Sequence, residues 1–162
     1  MGLPPAEKEI SVSLETEVEA LRKVPLFRGI DDTKLRLLAF ISDRIAFREG
    51  ERLCSQGEEG DSAFIILQGA ADVLVNTPDG EKTVAQVGEN SIVGEIAILC
   101  DVPRTATLVA ANEMDVLTVS KDDFLKLLKE FPDMALEVMR TLALRLERTT
   151  RDLAAARSGA NG

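Results

Sequence analysis

The chain has 162 residues, 45% of them hydrophobic and 29% charged, with 28 Asp and Glu against 19 Lys and Arg for a net charge of −9. Such a length suffices for one globular domain that buries about two-thirds of its unfolded surface. His, Trp and Tyr are all absent, which removes Ser-His-Asp and Cys-His nucleophiles, imidazole acid–base catalysis and imidazole-rich metal sites, while the acidic balance repels polyphosphate and argues against a nucleic-acid partner.

In chain order, residues 1–13 hold two prolines and mixed charges and read as a mobile leader with no apolar signal-peptide core. Leu14, Val18 and Leu21 recur at helical spacing and predict a helix over about 14–23, ended near Pro25. Asp31 or Asp32 caps a second helix, DDTKLRLLAFI, which buries Leu35, Leu38 and Ile41. From about 43 to 119 the pattern changes to eight short apolar runs: RIAF, RLCS, AFIIL, ADVLV, KTVAQV, SIV, ATLVA and DVLTV. Turn residues cut them apart, and in Thr77-Pro78-Asp79-Gly80 the proline pre-sets φ while the glycine accepts the positive φ of a tight turn. Eight strands at this spacing predict an antiparallel roll, jelly roll or barrel.

After Ser120 the helical period returns. Ser120 and Asp123 form a capping box with Asp in place of Glu, and Phe124, Leu127, Leu128 and Phe131 share a face. Pro132 opens a long last helix. In it Ala135, Met139, Leu142, Leu146, Thr149, Leu153 and Ala156 follow a 4-3 heptad spacing. That seam either closes a homodimer or packs back on the roll, and RSGANG at 157–162 frays. The expected organisation is therefore one domain over 14–156, mainly β, with N-terminal helices, an eight-stranded antiparallel roll and two C-terminal helices over 120–156. No run of eighteen apolar residues exists, so no membrane insertion is expected. Cys54 and Cys100 have no metal-ligand spacing and read as reduced, mostly buried thiols in a cytoplasmic protein.

One interval does not fit a strand: Val93-Gly94-Glu95-Ile96-Ala97-Ile98-Leu99-Cys100-Asp101-Val102-Pro103-Arg104-Thr105-Ala106-Thr107-Leu108. A glycine ends a strand, a short helix-compatible stretch follows, and Pro-Arg-Thr restarts extended chain. Backbone N–H groups of residues 95–97 at a helix start suit an anion, and Arg104 adds a planar two-pronged donor. Glu95 cannot serve a phosphate but suits a ribose hydroxyl, as acidic residues do in dinucleotide sites. Taken alone, Gly94-Glu95 is a turn and Glu95 with Arg104 is a structural ion pair.

The stretch GEIAILCDVPRTATL resembles the phosphate-binding cassette of cyclic-nucleotide-binding domains, found in bacterial catabolite activators, kinase regulatory subunits and cyclic-nucleotide-gated channels. QGEEGDSAFIILQGAADV is similar to the strand-turn-strand that precedes that cassette, and the resemblance covers about residues 24–148. It implies a ligand site of Val93, Gly94, Glu95, Ile96, Ala97, Arg104, Thr105 and Ala106. Glu95 would take the ribose 2′-hydroxyl, and Arg104 the cyclic phosphate with the Ile96 and Ala97 N–H groups. Thr105 stands where a hydroxyl residue accompanies tolerance of cGMP as well as cAMP. An arginine on the last helix covers the base in similar channel domains, and equal spacing makes it Arg145, with Arg140, Arg148 and Arg151 as competitors. Val93 departs from the family, which often has an aromatic there, and removes an apolar contact but no polar group.

The expectation is a regulatory module that binds cAMP or cGMP, with no catalysis, cofactor or metal, and moves its C-terminal helices on binding. The output would be a homodimer or effector contact through the last helix. The alternative is a ligand-free interaction or dimerisation domain on the same fold. A catabolite-activator-type transcription factor needs a helix-turn-helix for which the residues after the last helix are too few. A metal enzyme on a cupin-like roll lacks its imidazole ligands.

Overall fold

The computed structural model describes residues 5–160. Helix α1 (Pro5–Arg22) is followed by a single 3-10 turn (Pro25–Phe27) and helix α2 (Asp32–Ile41). Eight strands come next: β1 (Asp43–Phe47), β2 (Arg52–Cys54), β3 (Ser62–Gln68), β4 (Ala71–Thr77), β5 (Gly80–Val87), β6 (Ile92–Val93), β7 (Thr107–Ala110) and β8 (Met114–Ser120). The short helix α3 (Glu95–Leu99) interrupts them, and α4 (Lys121–Glu130) and α5 (Pro132–Ala160) close the chain. The strands form two four-stranded antiparallel sheets, in the orders β1-β8-β3-β6 and β2-β7-β4-β5. This is the expected roll, with every predicted apolar run on a strand.

In the first sheet the central strands β3 and β8 are buried on both faces, and strand geometry divides their side chains between two cores. Successive residues of a strand point to opposite sides. Ala63 and Ile65 of β3 and Leu117 and Val119 of β8 therefore meet Val18, Leu21, Leu35, Phe124 and Met134 of the helices. Their neighbours Phe64, Ile66, Met114 and Val116 fill the inside of the roll with Val93 and Leu108. This is why AFIIL reads as an unbroken apolar run rather than an alternating one.

Local signals act as the sequence requires. Asp31 Oδ1 accepts from the Lys34 N–H at 3.0 Å and caps α2, and Ser120 Oγ accepts from the Asp123 N–H at 3.2 Å and caps α4. Gly80 closes the β4–β5 hairpin at φ 103, with Thr77 Oγ1 donating to its carbonyl at 2.7 Å.

Both helical ends extend beyond expectation. Residues 5–13, read as a leader, belong to α1, where Pro5 needs no N–H partner in the first turn. Residues 1–4 of that leader lie outside the described residues. Residues 157–160, read as frayed, continue α5, which carries the helix-favouring Ala154-Ala155-Ala156-Arg157. Cys100 is exposed rather than buried, because it caps the end of α3 on the outer surface, and neither cysteine is bonded.

Leu117 sits fully buried on β8, between β1 and β3 and under the helices. Leu117→Ala is expected to cost about 2–5 kcal/mol in urea unfolding; a loss below about 1 kcal/mol would contradict this packing.

Candidate functional site

The interval that broke the strand pattern forms one side of a cavity of about 500 Å³, counting the part open to solvent. Val93, Gly94, Glu95, Ile96 and Ala97 line it from the β6–α3 junction, Arg104, Thr105 and Ala106 from the approach to β7, and Arg145 from α5. All nine residues singled out in the sequence therefore face a single pocket. The opposite wall consists of Cys54, Val73, Val87 and Leu108, contributed by β2, β4, β5 and β7. Sequence reasoning did not single out these four, because an apolar residue on a strand carries no mark of which cavity it faces.

Gly94 makes the turn into α3. It sits at φ +82, and a Cβ there would lie 2.6 Å from Arg104 Nη1 and 3.2 Å from the Phe64 ring. Glycine is needed both for the left-handed backbone and for the space that the guanidinium takes. Gly60 has a related task that the sequence did not reveal: a Cβ at this position would come within 2.3 Å of Ala97 Cβ. The GEEGD loop can pack on α3 only because its last glycine has no side chain. No side chain caps the N-terminus of α3.

Arg104 is only 4% exposed. Nη1 donates to the Gly94 carbonyl at 3.0 Å, Nη2 to Ser62 Oγ at 3.3 Å and more distantly to Asp61 Oδ1 at 3.5 Å. The guanidinium lies 5.2 Å from the Phe64 ring centroid, within cation–π range. Its Nε–H is buried with no acceptor. Asp61, Ser62 and Phe64 thus support the cassette arginine, and all three come from the DSAF segment of the motif preceding it.

Glu95 is 2% exposed and does not pair with Arg104. Its partner is Arg145, fifty residues away: Nη1 donates to Glu95 Oε1 at 2.6 Å, and Nη2 donates to the Ile92 carbonyl at 2.8 Å. Burial pushes the Glu95 carboxyl above its usual range, and the nearby Arg145 charge offsets part of that rise. Of the competing arginines, Arg140 pairs with Glu137, Arg151 pairs with Glu147, and Arg148 lines a different cleft. Burial likewise raises the Cys54 thiol against the pull of Arg104, which leaves it protonated and a poor nucleophile. Among the described residues no cluster of His, Cys, Asp or Glu suits a metal ion, and no helix is long and apolar enough to cross a membrane.

Residues 44–131 match the family described as cyclic nucleotide-binding domain. The chain belongs to that family. It is 26% identical over 137 residues to a CRP-like cAMP-activated global transcriptional regulator of Mycobacterium tuberculosis, covering 84% of this chain and 61% of the relative. It is 38% identical over 116 residues to the cAMP-dependent protein kinase regulatory subunit of Mycosarcoma maydis, covering 67% of this chain and 22% of that one. Among solved structures, the catabolite activator protein of Thermus thermophilus superimposes with a TM-score of 0.72 at 26% identity, covering 80% of this chain and 61% of that one. The regulatory subunit of a cAMP-independent protein kinase A from Trypanosoma brucei gives 0.72 at 29% identity, covering 82% and 48%. The domain thus spans under two-thirds of the length of these four proteins, which are named as a transcriptional regulator, an activator protein and two regulatory subunits.

Because Glu95 takes up a proton more readily folded than unfolded, its contribution is full below the ordinary carboxylate range and is lost as pH rises through its raised value. The stability of the native domain relative to Glu95→Gln is therefore expected to be greatest in acid and to decline as pH climbs. Thermal melts from pH 4 to pH 7 test this, and a relative stability that grows with pH would show a depressed carboxyl instead.

Proposed function

We propose that the pocket binds a cyclic nucleoside monophosphate, cAMP or cGMP, without transforming it, and that binding shifts the position of α4 and α5. The observation that carries this reading is Arg104, a buried guanidinium at the pocket wall whose Nε–H has no acceptor. An unpaired donor of this kind costs free energy, and a phosphate oxygen is the acceptor that Gly94, Ser62 and Asp61 do not supply. Glu95, an acceptor-only group when ionised, suits the ribose 2′-hydroxyl. Thr105 adds a hydroxyl at the rim, and the apolar wall of Val73, Val87 and Leu108 suits the face of a base.

Arg145 has a different role in this reading from the base cover implied by the family. It holds Glu95 from α5, so a ribose reaching Glu95 must share the carboxylate with the arginine or take it over. Either outcome changes how α5 is held, which is the differential contact that a population shift requires.

Calorimetric titration with cAMP and with cGMP tests the reading, with saturable heat and a rise in melting temperature expected for at least one. Neither effect at millimolar ligand would sink it and favour the ligand-free interaction domain. Arg104→Glu sets like charge against the phosphate. It is expected to weaken binding by at least about thirty-fold, with a melt confirming that the variant folds.

The output surface we propose is α5. Every residue from Leu146 to Gly159 is exposed, so about 20 Å of helix stands clear of the roll. The Met139, Leu146 and Leu153 part of the heptad seam faces solvent, while Met134 and Val138 are the buried contacts. A second copy fits this stripe: in a parallel pairing Asp152 would face Arg157 of the other helix at flanking positions. Sedimentation should show a dimer that Leu146→Glu dissociates; a monomer for the native chain at hundreds of micromolar would exclude the pairing.

A further inference from the structure

We propose that a second cleft, on the far side of Arg145 from the nucleotide pocket, is a binding site for a small organic anion, one carrying a phosphate or carboxylate on an apolar body. The two cavities share Arg145 and no other lining residue. Thr141, Arg145 and Arg148 present one face of α5 to the cleft, and Asn90 and Ser91 of the β5–β6 turn face them. The cleft spans about 700 Å³, counting the part open to solvent.

The charge arrangement points to an anion. The chain carries 28 acidic residues against 19 basic ones, yet the cleft is lined by two arginines and no carboxylate. The other arginines near it on α5 are occupied: Arg140 holds Glu137, Arg145 holds Glu95 and Arg151 holds Glu147. Arg148 has no carboxylate partner among the described residues, although Glu147 is its neighbour in sequence, because Glu147 pairs with Arg151 four residues along. With the Arg145 charge already engaged, Arg148 is the free cation of the cleft. The hydroxyls of Thr141 and Ser91 and the Asn90 carboxamide are the uncharged groups that complete an oxyanion shell.

The body of the ligand follows from the remaining wall. Pro25 and Leu144 give the cleft an apolar side, and the volume exceeds that of a bare phosphate several-fold. Burial of an apolar group beside the anion adds free energy in proportion to the area covered, so an aromatic phosphate binds more tightly than inorganic phosphate.

The test is an amide chemical-shift titration of the full chain with phenyl phosphate and, separately, with inorganic phosphate. Phenyl phosphate is expected to shift Asn90, Ser91 and Thr141 saturably, at least about fivefold tighter than inorganic phosphate. Arg148→Ala, an exposed change that leaves the core intact, is expected to weaken that binding at least about tenfold, and Arg148→Lys to retain most of it. Shifts confined to residues 94–97 and indifferent to Arg148 would place the anion in the nucleotide pocket and overturn the proposal. Absence of saturation, or equal affinity for the two probes, would overturn it too. The result is independent of cyclic-nucleotide binding, since loss of cAMP and cGMP binding leaves the Asn90, Ser91 and Thr141 response unchanged.

Discussion

A guanidinium withdrawn from water brings five N–H groups that need acceptors, and an unmet one costs about 1–3 kcal/mol. Arg104 is in that position. Much of the pocket is arranged around it: Gly94 turns its carbonyl to it and has no side chain that would collide, Ser62 offers a hydroxyl, and Phe64 offers its ring face. The cassette and β3 are thereby tied across the mouth of the roll by one side chain. Burying a charge with one donor still unmet is hard to justify on stability alone. It is readily understood in a family that binds a phosphorylated ligand.

The second buried charge ties the pocket to a different part of the molecule. Glu95 lies at the start of α3, just after the Gly94 turn, but its counter-charge comes from α5. The helix is thus anchored at Met134, Val138 and Leu142 by apolar packing and at Arg145 by an ion pair and a carbonyl bond, and its residues from Leu146 to Gly159 are exposed. Under the proposed function, a helix held at its middle by a group that the ligand also uses is a lever whose attachment depends on what occupies the pocket. The same arginine lines both the pocket and the neighbouring cleft, so Arg145 is where the two cavities and the last helix meet.

Much of the architecture was legible because it rests on short-range effects. Ser120 and Asp31 cap helices because their side chains reach N–H groups three residues on. The strands of the roll announce themselves by apolar runs between turn residues, and Gly80 by the φ that its hairpin requires. The helix ends were less legible. Whether 5–13 and 157–160 are helical depends on weak propensities with no strong stop signal in either stretch. Cys100 reads as buried from its residue type, whereas its exposure follows from which face of a five-residue helix meets the roll.

The amino-acid order by itself determined the eight-stranded roll with its flanking helices and the cassette residues 93–97 and 104–106 that line one pocket, since periodicity, turn chemistry and a cassette motif are properties of near neighbours. Arg145 came only from the family resemblance, with three other arginines as competitors. Tertiary structure alone decided which charges meet. Glu95 pairs with Arg145 across fifty residues rather than with Arg104 nine away, and Arg104 turns to Ser62 and Gly94 instead. Those pairings arise only when the two sheets close and α5 docks, because a buried ion must take whichever partner the packing places within about 3 Å.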